Sequence, residues 1–171
     1  EFSGEYRGPF LAKLKLKSKL AFKETRRLSF FNALRNRNIV SIQSINDFTY
    51  NFNRNHLVNF KLTLNKDRQA DDNKSIDALL TGLEIAYEMK LLKKGRWKIY
   101  SEYNSVTVSP ETSTIPWEMC DGNQVGNTIG LGASTEYKIG KYLRVRGNYE
   151  SRREPYLGIY HRGSVEVRAM F

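Results

Sequence analysis

The chain has little with which to do covalent chemistry. Its 171 residues include one cysteine, Cys120, and two histidines, His56 and His161, far apart in the sequence. A lone thiol forms no internal disulfide, and two distant imidazoles make no metal-ligand cluster. Nucleophilic catalysis needs a nucleophile, a base and an orienting group held together. The nearest approach is His161 in the last strand, with Ser151 and Glu154 in its neighbourhood, and no Ser–His spacing of a hydrolase accompanies it. Glu84 and Glu88 lie two turns of the pleat apart beside Lys90, where carboxylates more simply neutralise cations. The run "ADDN" at 70–73 has calcium-like oxygen donors without the spacing of a calcium loop. The chain therefore reads as non-catalytic, with no cofactor and no metal. Proline is scarce, at four residues, and no Pro- or Ser-rich linker divides the chain, so 1–171 reads as a single domain or a portion of one. Long apolar runs are also absent, which excludes transmembrane helices. It excludes nothing about membrane strands, whose apolar residues sit at every second position and vanish on averaging. No signal peptide precedes Glu1, which leaves a mature protein, a fragment or a cytosolic product open.

What the chain does have is alternation. In "LLTGLEIAYEMKLL", Leu79, Thr81, Leu83, Ile85, Tyr87, Met89 and Leu91 share one face, and Gly82, Glu84, Ala86, Glu88 and Lys90 share the other. In "LKLKSKLAF", Leu14, Leu16, Leu20 and Phe22 oppose Lys13, Lys15, Lys17 and Lys19. The same period runs through Val58–Leu64, Ile129–Ile139 and Leu143–Tyr149. The pattern predicts an all-β fold, an antiparallel up-and-down barrel of about eight strands, near 10–23, 39–52, 57–67, 76–92, 97–108, 127–139, 142–151 and 157–171. The segment "LSFFNALRN" in the first long connection reads equally as a short helix or as an extension of the flanking strands. Connections alternate long and short, so short turns gather at one end and longer loops at the other. With an even strand count, both termini fall at the short-turn end.

The last strand, "GSVEVRAMF", places Val165, Val167, Ala169 and Phe171 on one side and stops on the aromatic ring. This resembles the C-terminal assembly signal of Gram-negative outer-membrane β-barrel proteins. "IPWEMCDGN" and "HRGSVEVRAMF" are also similar to the ends of larger outer-membrane proteins, so the chain reads as a barrel or as the C-terminal barrel portion of a larger one. The resemblance implies that Val165, Val167, Ala169 and Phe171 are read by the barrel-assembly machinery. Ala169 departs from the large aromatic common at that position. It further implies the bacterial outer membrane, with outer-membrane lipid as partner, short turns and both termini periplasmic, and a porin-like or anchoring role.

On that reading the apolar face meets lipid, and aromatic girdles flank it. Candidates at the short-turn end are Tyr50, Phe52, Trp97, Tyr137 and Phe171, with Tyr142 off the apolar face; at the opposite end they are Phe22, Tyr103 and Tyr149. Ser44 and Asn46, and Ser105 and Thr107, interrupt the apolar face. The polar face becomes the interior. It is lined by the bases Lys13, Lys15, Lys17, Lys19, Lys61, Arg144, Arg146 and Arg168, joined by Lys23, Lys90, Lys98 and Lys138. The inward acids are fewer: Asp47, Glu84, Glu88, Glu102, Glu136, Glu150 and Glu166. The interior is thus basic, as is the whole chain, with a formal net charge of +10. An eight-stranded barrel has room only for its own side chains, and unpaired charge there is costly. A wet, anion-holding lumen, lysines reaching lipid phosphates at the rim, or a wider barrel completed by other chains or a longer parent polypeptide each relieve that cost. Two other classes fit parts of the pattern. A soluble up-and-down barrel binding a lipid or hydrophobic ligand has the same alternation turned inside out. A basic soluble β-domain binding nucleic acid would use the lysine run with Tyr6 and Phe10, though no nucleic-acid motif accompanies it.

Overall fold

Alternating residues of high β-propensity, punctuated by Gly, Asn and Asp, favour hairpins over any helical arrangement. The computed structural model describes residues 2–11, 13–27, 37–70, 75–91, 94–111 and 115–169. Among them run nine strands: β1 (Phe2–Leu11), β2 (Leu14–Arg27), β3 (Arg37–Asn51), β4 (His56–Ala70), β5 (Ser75–Leu91), β6 (Gly95–Ser109), β7 (Gly126–Ile139), β8 (Leu143–Glu154) and β9 (Gly158–Ala169). They form one antiparallel sheet in sequence order, each strand paired with the next. No ladder joins β1 to β9 among the described residues.

The count differs from the expected eight at one place. The segment read as a single first strand over 10–23 contains a turn: Leu11 pairs with Leu14, and Phe2 pairs with Phe22. Pro9 and Gly8 sit just before the turn, at an irregular point of the ladder. With nine strands the ends of the chain separate. Phe2 lies at the end that holds the long loops and Ala169 at the short-turn end, so the expectation that both termini share the short-turn end fails for the N-terminus. The loop asymmetry is also weaker than expected. β4 and β5 run further than the sequence suggested, pairing Ala70 with Ser75, and β8 and β9 close at Glu154 and Gly158. Only 28–36 and 110–125 remain long. "LSFFNALRN", most of "ADDN" and Phe171 lie outside the described residues.

Ladder register fixes which side chains share a face, because a slip of one residue would invert every strand. One continuous row runs Lys17, Asp47, Lys61, Glu84, Glu102, Gly130, Arg152, Tyr160. The neighbouring row on the other face runs Leu16, Phe48, Phe60, Ile85, Ser101, Leu131, Ser151. Burial separates the two faces from β4 to β7. On the polar face Asn65, Asp67, Ala78, Leu80, Ala86, Val106 and Thr128 are buried. On the apolar face Leu20, Ile42, Leu64, Ile85, Ile99, Leu131 and Val167 are exposed. The sheet curls around its polar face, and side chains of β3, β4, β5 and β6 line one shared cavity of about 170 Å³ beneath the 110–125 loop.

Candidate functional site

The enclosed face carries ion pairs in which single carboxylates serve several cations. Glu136 meets Arg146 at 3.2 Å, Arg144 at 3.5 Å and Arg96 at 3.6 Å. Glu84 meets Lys98 at 3.2 Å and Lys61 at 4.0 Å. Glu102 faces Arg152 at 3.8 Å across β7, and Glu166 meets Arg146 at 3.9 Å as well as Arg168. This sharing follows from the surplus of bases that the sequence shows. Lys15, Lys17 and Lys19 lie on the same face, with Lys17 opposite Asp47 in the ladder. Of the expected inward charges, the structure brings Lys61, Glu84, Lys98, Glu102, Glu136, Arg144, Arg146, Glu166 and Arg168 into ion pairs. It adds Arg96, Arg152 and Glu154 to the pairs of this face, and it buries Asp67 there, where the carboxylate accepts from the Cys120 N–H.

Glycines make the crossing at β7 possible. A Cβ on Gly130 would stand 2.5 Å from Glu102 Cγ, and one on Gly132 would stand 2.1 Å from the Tyr100 ring. Both side chains lie flat over the neighbouring strand because it offers no side chain there. Lys98 caps the Tyr100 ring at 5.1 Å, a cation–π contact. Gly132→Ala is therefore expected to destabilise the fold by about 1–3 kcal/mol through overpacking. Combining it with Tyr100→Ala should recover most of that loss. Denaturant midpoints for the two single variants and the double variant test this; additive losses would refute the contact.

The upper part of the enclosed face is apolar, where the sequence pattern predicts a polar interior. Ile39, Ala78, Leu80 and Val106 form a dry cluster sealed by Met119 and Cys120 from the loop. The loop "PWEMCDGN" turns inward through a short 3-10 turn at Cys120–Gly122. Cys120 and Asp121 adopt positive φ of 52° and 53°, so the backbone doubles back and aims its polar groups at the wall. Four strands hold it. Arg27 Nη1 donates to Glu118 at 2.8 Å, Gln43 Nε2 donates to Asp121 at 2.8 Å, Arg152 Nη2 donates to Asn123 at 3.0 Å, and the Cys120 N–H donates to the Asp67 carboxylate. Burial and the neighbouring carboxylates of Asp67 and Asp121 push the Cys120 thiol up to about 12. Burial first, and Asp67 second, raise the Asp121 carboxyl above its ordinary value, against the opposing pull of Lys23 and of Gln43. A buried thiol held up in this way is a poor nucleophile; the arrangement closes the mouth of the curled sheet.

The exposed face resolves its own polar interruptions. Ser18 donates to Asn46 at 2.7 Å, and Asn46 donates to Ser44 at 3.2 Å. Each histidine rests against a tyrosine: His56 lies 2.5 Å from the Tyr87 hydroxyl and His161 lies 2.9 Å from the Tyr149 hydroxyl. Tyr50, Phe52, Trp97 and Tyr137 are all exposed at the short-turn end, with Tyr50 and Phe52 edge to face at 4.9 Å. Phe22, Tyr103 and Tyr149 are exposed nearer the opposite end. Val165 and Val167 are exposed on β9. Among the described residues no group of His, Cys, Asp and Glu could hold a metal ion, and no helix is long and apolar enough to cross a membrane. No protein-family model matches the chain, and no curated protein matches it in sequence.

Proposed function

We propose that this chain is an integral outer-membrane β-barrel protein, or the barrel portion of a larger one, that serves as a pore or anchor with a basic interior. The observation that carries the reading is the inversion of the faces: the large apolar side chains point outward and are exposed, while the buried residues of β4 to β7 lie on the polar face. A soluble lipid-binding barrel needs the reverse. An exposed apolar area spread over consecutive strands is far beyond the scattered residues normal on a soluble surface. The exposed aromatics at both ends of the sheet suit the two lipid interfaces, and the resemblance of the last strand to the assembly signal agrees with them. The short-turn end is then periplasmic.

The test is folding with and without detergent micelles, read by circular dichroism and by mobility of unboiled samples on gels. β-structure and a heat-modifiable band are expected only with detergent. A monodisperse β-protein in plain buffer would overturn the reading. Conduction through the intact assembly is expected to favour anions, because bases outnumber acids on the enclosed face. The reversal potential in a salt gradient across a planar bilayer checks the sign, and cation selectivity would refute it.

A further inference from the structure

Strand direction limits how this sheet is completed. β1 runs from Phe2 toward its turn with β2 at Leu11 and Leu14, at the short-turn end. β9 runs from Gly158 to Ala169, toward the same end. The two edges of the nine-stranded sheet are therefore parallel to one another. Closing β1 on β9 would make a parallel seam. A second copy in the same membrane orientation gives the same result whichever edges meet, since all of its edge strands point the same way. Bacterial transmembrane barrels are antiparallel throughout, with even strand numbers. An edge left unpaired in hydrocarbon strands its N–H and C=O groups, at several kcal/mol each.

β9 has the character of such an edge. Its residues from Gly158 to Ala169 are exposed on both faces, whereas on the enclosed face of β7, two strands inward, Thr128, Gly130 and Gly132 are buried. The enclosed face beside it remains rich in bases, with Arg144, Arg146 and Arg168 sharing Glu136 and Glu166.

We infer that an odd number of further membrane-spanning strands, from polypeptide outside these nine, completes the wall. The strand beside β9 runs antiparallel to it and presents apolar residues to lipid and carboxylates to the interior. The inference rests on the membrane reading above. Odd-plus-nine restores an even antiparallel barrel, and inward acids answer the surplus of bases.

The experiment is hydrogen–deuterium exchange on the chain refolded in micelles, with light scattering to count chains per particle. Two synthetic strand peptides serve as probes, alternating leucine with glutamate or leucine with lysine. In one-chain particles, the edge-facing amides of β9 are expected to exchange about 100-fold faster than those of β4–β6. The glutamate peptide is expected to slow them about tenfold by adding a strand, and the lysine peptide to leave them unchanged. β9 as protected as β5 in a one-chain particle would overturn the inference in favour of self-closure, and the same protection in a two-chain particle in favour of a second copy. Equal action by the two peptides, or action by neither, would also overturn it. Protection of β4–β6 in plain buffer together with its loss in micelles would instead bring down the membrane reading, and the inference with it.

Discussion

Replacing Leu131 with arginine is expected to cost the folded protein about 2–4 kcal/mol in a lipid bilayer, the usual cost of a cation near the midplane of a barrel's lipid face. Leu131 lies near the middle of β7, on the apolar face, and is 56% exposed. In water a substitution at so open a site falls within about 0.5 kcal/mol of neutral. The size of the loss therefore reports which solvent the residue meets. Asn148→Arg supplies the comparison: it lies on the other face of β8, in the row Ser134, Asn148, Ser164. Its expected cost is below about 1 kcal/mol, since that face is built for charge. Denaturant unfolding in vesicles gives both values. Equal, small losses for the two variants would remove lipid from the apolar face and return the soluble barrel to favour.

The second large effect concerns the loop. Wild-type Cys120 is expected to resist maleimide at pH 8, because it is fully buried and its thiol is pushed up to about 12. Asp67→Ala removes the acceptor that holds the Cys120 N–H. A hydrogen bond to a charged group contributes about 1.5–3 kcal/mol, so labelling should rise roughly 10- to 100-fold as the loop opens more often. An unchanged rate would show that the other three anchors suffice. Seating should also depend on pH. The docked loop raises the Asp121 carboxyl above its ordinary value, so the docked form binds that proton more tightly than the open form. Docking is therefore stronger at low pH and weakens as pH rises from the ordinary carboxylate range through the raised value. Labelling of the open loop, corrected for thiolate content, measures the trend.

How far the sequence carried these readings varies by residue. In β5 the alternation of Leu83, Ile85 and Tyr87 with Gly82, Glu84 and Ala86 assigned both faces without ambiguity, since period two has only one geometric meaning. β1 was hidden because Gly4, Gly8 and Pro9 dilute the alternation of "FSGEYRGPFL". Asp67 is the last residue of the expected strand 57–67, where the alternation gives no further support. Carrying the parity of Lys61 and Thr63 onward through Asn65 would have placed it on the enclosed face. The dry cluster of Ile39, Leu80 and Val106 was not legible, because apolar residues on the polar face look like lapses in a pattern until their partner is known. That partner, Met119–Cys120, arrives from a loop whose path depends on strands distant in sequence. Local patterns record a strand's own two sides and say little about what lands on them.

The same distances impose an order on folding. Glu118 finds Arg27 across 91 residues, Cys120 finds Asp67 across 53, and Asn123 finds Arg152 29 residues later. The loop cannot complete these bonds until β2, β4 and β8 stand in their final places, so it seats late, after most of the loop-closure entropy has been spent. A slip of one residue in β4 would turn Asp67 outward and leave Cys120 without its acceptor. The loop thus acts as a gauge of register, locking only over a sheet whose strands have paired correctly.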